Sequence, residues 1–225
     1  MKLHCYICDN INQEMLALHR QAAAAINIEI EYYCFAIEAL SKQGISPHKA
    51  HGLFIEQILK TSTNDVEGFI DVDCLAMSKH FVEQCEQWAK KNNGIVGVAQ
   101  CANHLPSKQE IYAAPAFAIV STSAWKQCGE PSLAAHGDCD TMQLLSRECK
   151  KRQIPLQVLM PSSHYSQGKS WPLADKGQYG IGTIYGDGEV FHLFQASQGP
   201  SYVHLLEEKV RLLQNQASSR NESSS

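Results

Sequence analysis

The sequence predicts an α/β fold: a mostly parallel central sheet flanked by helices, with a C-terminal hairpin and helix. Three observations predict it. Through residue 100, apolar strand patterns alternate with amphipathic helix patterns in the order β-α-β-α-β-α-β, which suits a parallel sheet covered by helices. Further on, Asp187-Gly188 separates two extended runs, a hairpin signal. Last, Val203, Leu206, Val210 and Leu213 form one apolar stripe over residues 202–216.

Residues 2–8 read as the first strand. Asn10 and Gln13 signal a helix start, and that helix runs to about Ala24. Residues 28–36 read as the second strand. Ser46-Pro47 is a cap followed by proline at the first helical position, and the helix to about Lys60 turns Ile55, Ile58 and Leu59 inward. Residues 66–73 read as a third strand, mostly apolar before its acidic end. Ser78 caps the next helix, in which Phe81, Val82, Cys85, Trp88 and Ala89 fall at helical spacing. Residues 94–100 are the fourth strand. The second half is less regular: a strand over 114–121, a helix over 140–151, a strand over 156–160, then the hairpin of 179–185 and 189–195.

With 225 residues, 44% hydrophobic and 19% charged, the chain has ordinary globular composition and fits a single domain over 1–217. The polar end, 218–225, is expected to be a disordered tail. A net charge of -4 provides no basic excess for phosphates, so no nucleic-acid partner is expected. The N-terminus lacks the h-region of a signal peptide, and no apolar run has the roughly 18–20 residues of a transmembrane segment. A cytoplasmic, unanchored protein is expected. Nine scattered cysteines, an odd number, agree with that compartment and read as free thiols. Cys5 and Cys8 make a C-x-x-C without a second pair at zinc spacing.

The sharpest chemical feature is Phe69-Ile70-Asp71-Val72-Asp73, an apolar strand ending in two carboxylates. In open α/β sheets, ligands bind beyond the carboxyl ends of the strands. Carboxylates there suit a hard divalent cation that bridges to substrate phosphates. Residues two apart on one strand face the same way, which would aim Asp71 and Asp73 together. The blander reading is a solvated strand end. In the hairpin, counting back from the turn sets Thr183 opposite His192, and Gly180 and Gly182 leave backbone room beside it. An imidazole there is a ligand for manganese-type metals, or else an ordinary hydrogen-bonded histidine. Asp138 and Asp140 precede or open a helix, as caps or as carboxylates for general-base work. His51 shares a helix face with Ile55 and Ile58, so a core histidine is the default; its helix leads straight to the Asp71–Asp73 strand. Trp125, Trp171 and Tyr179 are candidates for stacking on a sugar or base, or for core packing. No glycine cluster matches a phosphate loop or a dinucleotide fingerprint.

Together these features resemble the GT-A (Rossmann-like) class of nucleotide-sugar glycosyltransferases. The motifs are Asp71-Val-Asp73 a third of the way along, His51-Gly52-Leu53 ahead of it, Ile111-Tyr-Ala-Ala-Pro-Ala-Phe117 with Trp125 and Gly129, Asp140-x-x-Gln-Leu-Leu, and Tyr179-Gly-Ile-Gly-Thr-Ile-Tyr185 with His192. They span residues 1–195 in order; each is short, and order and spacing carry the likeness. The resemblance implies a nucleotide-binding half over 1–100 and an acceptor and closing half over 101–217. It implies Mn²⁺ or Mg²⁺ on Asp73 and His192, with Asp71 reaching the metal through water or touching the ribose. Asp9 and Asn10 would lie near the nucleobase or ribose with His51 beside the nucleotide, Lys169 and Lys176 would be candidates for the diphosphate, and Asp140 or Asp138 would be the base. The donor would be a UDP- or GDP-sugar, and the acceptor a glycan or small molecule. The sequence departs from the class in lacking the usual Glu-Asp pair of inverting members: Asp138-Cys-Asp140 stands there, which leaves the base and the stereochemical outcome open.

Three other readings share some features. A haloacid-dehalogenase-type phosphohydrolase also uses Asp-x-Asp after an apolar strand, but normally on the first strand of its fold. A nucleotidyltransferase usually carries a glycine-rich basic loop where Asp9-Asn10-Ile11-Asn12 stands. A degenerate, non-catalytic sugar-binding domain would keep the fold and lose the metal. The C-terminal helix mixes Glu207 and Glu208 with Lys209 and Arg211, which favours packing on the domain or in a homodimer over a membrane surface.

Overall fold

The computed structural model describes residues 1–105, 110–194 and 202–222. The apolar runs of the first half become β1 (Leu3–Cys8), β2 (Ile30–Phe35), β3 (Val66–Ile70) and β5 (Ile95–Cys101), joined by β6 (Ile111–Ser121) and β7 (Leu156–Leu159). They form a six-stranded sheet in the order β2-β1-β3-β6-β5-β7. β1 runs parallel to β2 and β3, and β5 runs parallel to β7; β6 alone is antiparallel, wedged between β3 and β5. The mostly parallel sheet expected from the sequence is present, with one reversed strand at its centre.

β3 and β5 are buried at every residue, because helices cover both faces. On one face lie α1 (Gln13–Ala25), α4 (Lys79–Asn92) and α7 (Val203–Glu222), which share a core with Leu3, Ile70 and Ile119. On the other lie α3 (Pro47–Thr61), α5 (Thr122–Gln127) and α6 (Gln143–Arg152), around Phe69, Ile95 and Val120. Neighbouring residues such as Phe69 and Ile70 thus serve opposite cores, as the strand's period of two requires. Val203, Leu206, Val210 and Leu213 of α7 are buried, so this helix packs on the domain.

The structure departs from expectation in ways that matter for the site. β3 stops at Ile70, not Asp73. The Asp71 N–H donates to Ala116 O, and the Cys74 N–H donates to Asp71 O, closing a tight turn. Asp71 and Asp73 therefore sit on a turn and not on one strand. The chain then enters β4 (Cys74–Ala76), which belongs to a second sheet, β4-β12-β11-β8, with β8 at Pro161–Ser163, β11 at Thr183–Tyr185 and β12 at Val190–His192. The acidic turn is the joint between the two sheets. The expected pairing of Thr183 with His192 and Tyr185 with Val190 is present. A separate two-stranded piece pairs β9 (Ser170–Pro172) with β10 (Gln178–Gly180).

Smaller differences have simple causes. α1 is capped by Asn12, whose side chain accepts from the Glu14 and Met15 N–H groups, and not by Asn10. α6 starts at Gln143 after Met142, whose φ is 65°, so Asp140 lies before the helix. α2 (Ile37–Lys42) and α5 are each six residues, too short to show a helical period. α7 continues to Glu222 through the segment expected as a tail, since neither glycine nor proline stops it; residues 223–225 and Gln195 lie outside the described residues.

α3 is tied to the chain ahead of α6 by one buried carboxylate. Glu56 Oε1 accepts the Ser132 hydroxyl and the Leu133 N–H, both at 2.8 Å. Burial alone would raise the Glu56 carboxyl, but these donors and Lys60 outweigh it and hold it below its ordinary 4.5. A depressed folded-state value contributes stability that is present above pH 4.5 and lost as the pH falls through the folded value. Glu56→Gln is expected to cost about 1.5 kcal/mol at neutral pH and to flatten the acid limb of stability. Urea midpoints measured from pH 7 downward check this; an acid slope as steep as wild type's would remove Glu56 from the account.

Candidate active site

Beyond the carboxyl ends of β3 and β5, and beside the small β9–β10 piece, the two halves enclose a cleft of about 880 Å³. α3 supplies Ser46, His48 and His51 at its rim, the β3–β4 turn supplies Asp71 and Asp73, and β12 supplies His192. Sheet geometry brings the last three together: His192 pairs with Cys74 across β12–β4, and the Leu193 N–H donates to Asp73 O at 2.8 Å. One ligand atom from each of Asp71, Asp73 and His192 lies within 4.8 Å of the others. His192 Nε2 stands 3.4 Å from Asp73 Oδ1, and His51 Nε2 stands 3.5 Å from Asp71 Oδ1.

Burial raises the Asp71 carboxyl above its usual range; His51 and His192 pull it back, and the Asp73 charge pushes it up again. Two carboxylates this close repel each other, and a cation between them removes the repulsion. The residues fit such an ion. Two carboxylates and one imidazole suit Mg²⁺- or Mn²⁺-type metals. Within the strand, His192 is buried; its Nδ1 has no partner among the described residues, and its Nε2 faces Asp73.

Asp140 lines the same cleft. Its Oδ2 accepts the hydroxyl of the fully buried Tyr112 at 3.0 Å, and its Oδ1 accepts the Thr141 N–H at 2.8 Å. Both bonds hold the carboxylate in place. Trp171 and Tyr179 line the cleft with Phe194, which meets Trp171 at 4.7 Å and His192 at 5.4 Å between ring centroids. Lys169 Nζ sits 5.3 Å over the Trp171 ring.

Other sequence candidates lie elsewhere. Asp138 is exposed and bonds Arg147 Nη1 at 3.0 Å, outside the cleft lining. Lys176 is exposed beside Asp175; of the two lysines, Lys169 is the one in the lining. Asp9 accepts the Ile37 N–H at the start of α2, and Asp9 and Asn10 are exposed outside the lining. Trp125 is buried in the core around α3 and donates to Pro131 O. Sequence reasoning missed Gln100, Asn103, His104 and Tyr112. The rule that ligands bind at the carboxyl ends of strands points to the three that end or follow β5. Nothing in the sequence pairs Tyr112 with Asp140.

No family model matches the chain, and no curated protein matches it. Solved structures do. The chain is similar to the galactosyltransferase LgtC in complex with donor and acceptor sugar analogues, at 10% identity and a TM-score of 0.47, covering 92% of this chain and 96% of that one. It is similar to the catalytic domain of Drosophila β1,4-galactosyltransferase 7 in complex with xylobiose, at 10% identity and a TM-score of 0.46, covering 88% and 73%. It is also similar to a Bacillus anthracis protein described as a glucose-1-phosphate thymidylyltransferase, at 12% identity and a TM-score of 0.44, covering 71% and 87%. At this distance the likeness is coarse, and a functional reading has to come from the cleft itself. Among the described residues, no helix is long and apolar enough to cross a membrane.

Proposed function

We propose that the chain is a glycosyltransferase that moves a sugar from a UDP- or GDP-sugar to a hydroxyl of a glycan or small molecule, with Mn²⁺ or Mg²⁺ as cofactor. The observation that carries the reading is the convergence of Asp71, Asp73 and His192 at the carboxyl ends of the sheet, in a cleft that also holds Asp140. Among the described residues, the cleft lining brings three carboxylates, Asp71, Asp73 and Asp140, together with one lysine, Lys169, a surplus of two negative charges between these groups. A nucleoside diphosphate is repelled by that surplus, and a divalent cation cancels it. The bound cation supplies electrostatic stabilisation of the departing diphosphate.

The chain's own residues do the rest. Asp73 and His192 would hold the cation, with Asp71 reaching it directly or through water, or touching the ribose. Lys169 lies at the rim for a diphosphate oxygen. Trp171, Tyr179 and Phe194 offer apolar ring faces to a sugar and exclude water. Asp140, held by Tyr112, would accept a hydrogen bond from an acceptor hydroxyl and take its proton. Asp138, engaged by Arg147, is the weaker candidate for that role.

The test is thermal stability against a panel of nucleotide sugars, with Mn²⁺ and with chelator. A donor at 100 times its Kd adds about 2.7 kcal/mol of stability. A shift with one donor that requires the cation is the expected result and names the nucleotide. No shift with any donor would sink the transferase reading in favour of a hydrolase or a non-catalytic sugar-binding domain.

A further inference from the structure

Each carboxylate of the acidic turn has its own imidazole. Asp73 has His192, from the second sheet; Asp71 has His51, from the second turn of α3. The two histidines differ in kind. His192 belongs to the group whose ligand atoms lie within 4.8 Å of one another, and His51 does not. His51 is instead held as a plate. Its ring stacks on Tyr6 of β1 at 5.1 Å between centroids and 13° between planes. Tyr6 is in turn wedged by Phe35 at 4.9 Å and Phe54 at 5.9 Å. Across the cleft, the Thr141 hydroxyl donates to the His48 carbonyl at 3.4 Å, tying the same end of α3 to the residue after Asp140.

We infer that His51 is a positioning residue of the metal centre: stacked on Tyr6, it orients the Asp71 carboxylate towards the cation without being a ligand. The inference rests on the metal centre proposed above. Among the described residues, His51 is the side chain paired with the Asp71 carboxylate, whose backbone is already pinned by Ala116. At 3.5 Å the contact is longer than a formed hydrogen bond. With a cation held at the site, this contact would shorten to a hydrogen bond from His51 Nε2–H to an Asp71 carboxylate oxygen, fixing the carboxylate's orientation. Outer partners of this kind fix the orientation of a ligand, and their loss typically costs 10- to 100-fold in metal affinity. The Tyr6 stack keeps the ring plane fixed, so the donor is already aimed before the ion arrives.

The experiment is a calorimetric Mn²⁺ titration without nucleotide, on wild type, His51→Phe, His51→Gln and Asp73→Asn, with melting temperatures in chelator as the control for folding. His51→Phe keeps a flat ring on Tyr6 and removes the donor. It is expected to melt in chelator as wild type does and to bind Mn²⁺ about tenfold more weakly or worse. His51→Gln, whose amide reaches to about the position of Nε2, is expected to recover most of that loss. Wild-type Mn²⁺ affinity in His51→Phe overturns the inference, and so does an equal loss in His51→Gln. A wild-type protein that binds no Mn²⁺ overturns the metal centre itself, and this inference with it. Asp73→Asn tells the two failures apart: it weakens Mn²⁺ binding if the centre is real, whatever His51 does.

Discussion

Asp73→Asn is expected to lose the cation-dependent part of the protein's stability while melting in chelator no lower than wild type. The substitution keeps the side chain's shape and removes one of the two carboxylates of the acidic turn. Losing a direct ligand costs at least the roughly 100-fold at the upper end for outer partners. At a cation concentration 100 times the wild-type Kd, the increment of about 2.7 kcal/mol then falls to about 0.4 kcal/mol. For a domain of this size that is a drop of roughly 5–10 °C in the Mn²⁺-dependent shift. The behaviour in chelator follows from the repulsion within the cleft. Asp73 pushes the Asp71 carboxyl up on top of the effect of burial, so removing the Asp73 charge relieves the metal-free protein. Sites held ready for a ligand carry such a cost in its absence. A Mn²⁺ shift in Asp73→Asn equal to wild type's would remove Asp73 from the centre. A large fall in melting temperature in chelator would show that Asp73 is structural, through its link to β12, and not a ligand held at a cost.

The features legible in the sequence were those written in local periodicity. β1, α3, α4 and β5 announce themselves by spacing and caps, and Ser46 and Ser78 cap as expected. The hairpin register was readable because a turn fixes the pairing of every residue behind it. The reversal of β6 was not, because a strand buried on both faces has no alternation and no sign of its direction. The acidic motif is legible as residues but not as geometry. Its two aspartates face the cleft because a turn between two sheets puts them there, and sequence shows the residues without the joint. The cleft's other half was the least legible. Tyr112 meets Asp140 across 28 positions, and Lys169 rather than Lys176 reaches the lining, because the order in which strands pack decides both. Asp138 and Asp140 differ by two positions and have opposite fates. The first turns to Arg147, and the second is held by Tyr112. Nothing local separates them.

Gly52→Ala is expected to destabilise the fold by about 2 kcal/mol, against the sign that helix propensity gives. Gly52 lies inside α3, where alanine normally gains about 1 kcal/mol over glycine. Here a Cβ would stand 2.3 Å from Ala134 Cα and 2.4 Å from Leu133 O. Those are backbone atoms, with no rotamer to move aside. The segment that carries them is also anchored. The Leu133 N–H is bonded to Glu56, one turn further along α3, and Leu133 O accepts the Met142 N–H just ahead of α6. Moving Ala134 away from α3 strains both bonds; moving α3 away from Ala134 pulls Phe54, Ile55 and Leu59 out of their core. Either way the cleft is disturbed. Ala135 and Asp140 lie on this segment and His51 precedes Gly52 on the helix, so the acidic wall and the histidine shift together. Gln57→Ala, on the exposed side of the same helix, is the control for propensity and is expected to be close to neutral. Urea midpoints at unchanged slope decide between the two accounts, with a fall in melting temperature of roughly 4–8 °C expected for the glycine variant. A Gly52→Ala protein as stable as wild type would mean that the approach of α3 to Leu133 and Ala134 is looser than the structure shows. The tie between His51 and the acidic wall would then weaken with it.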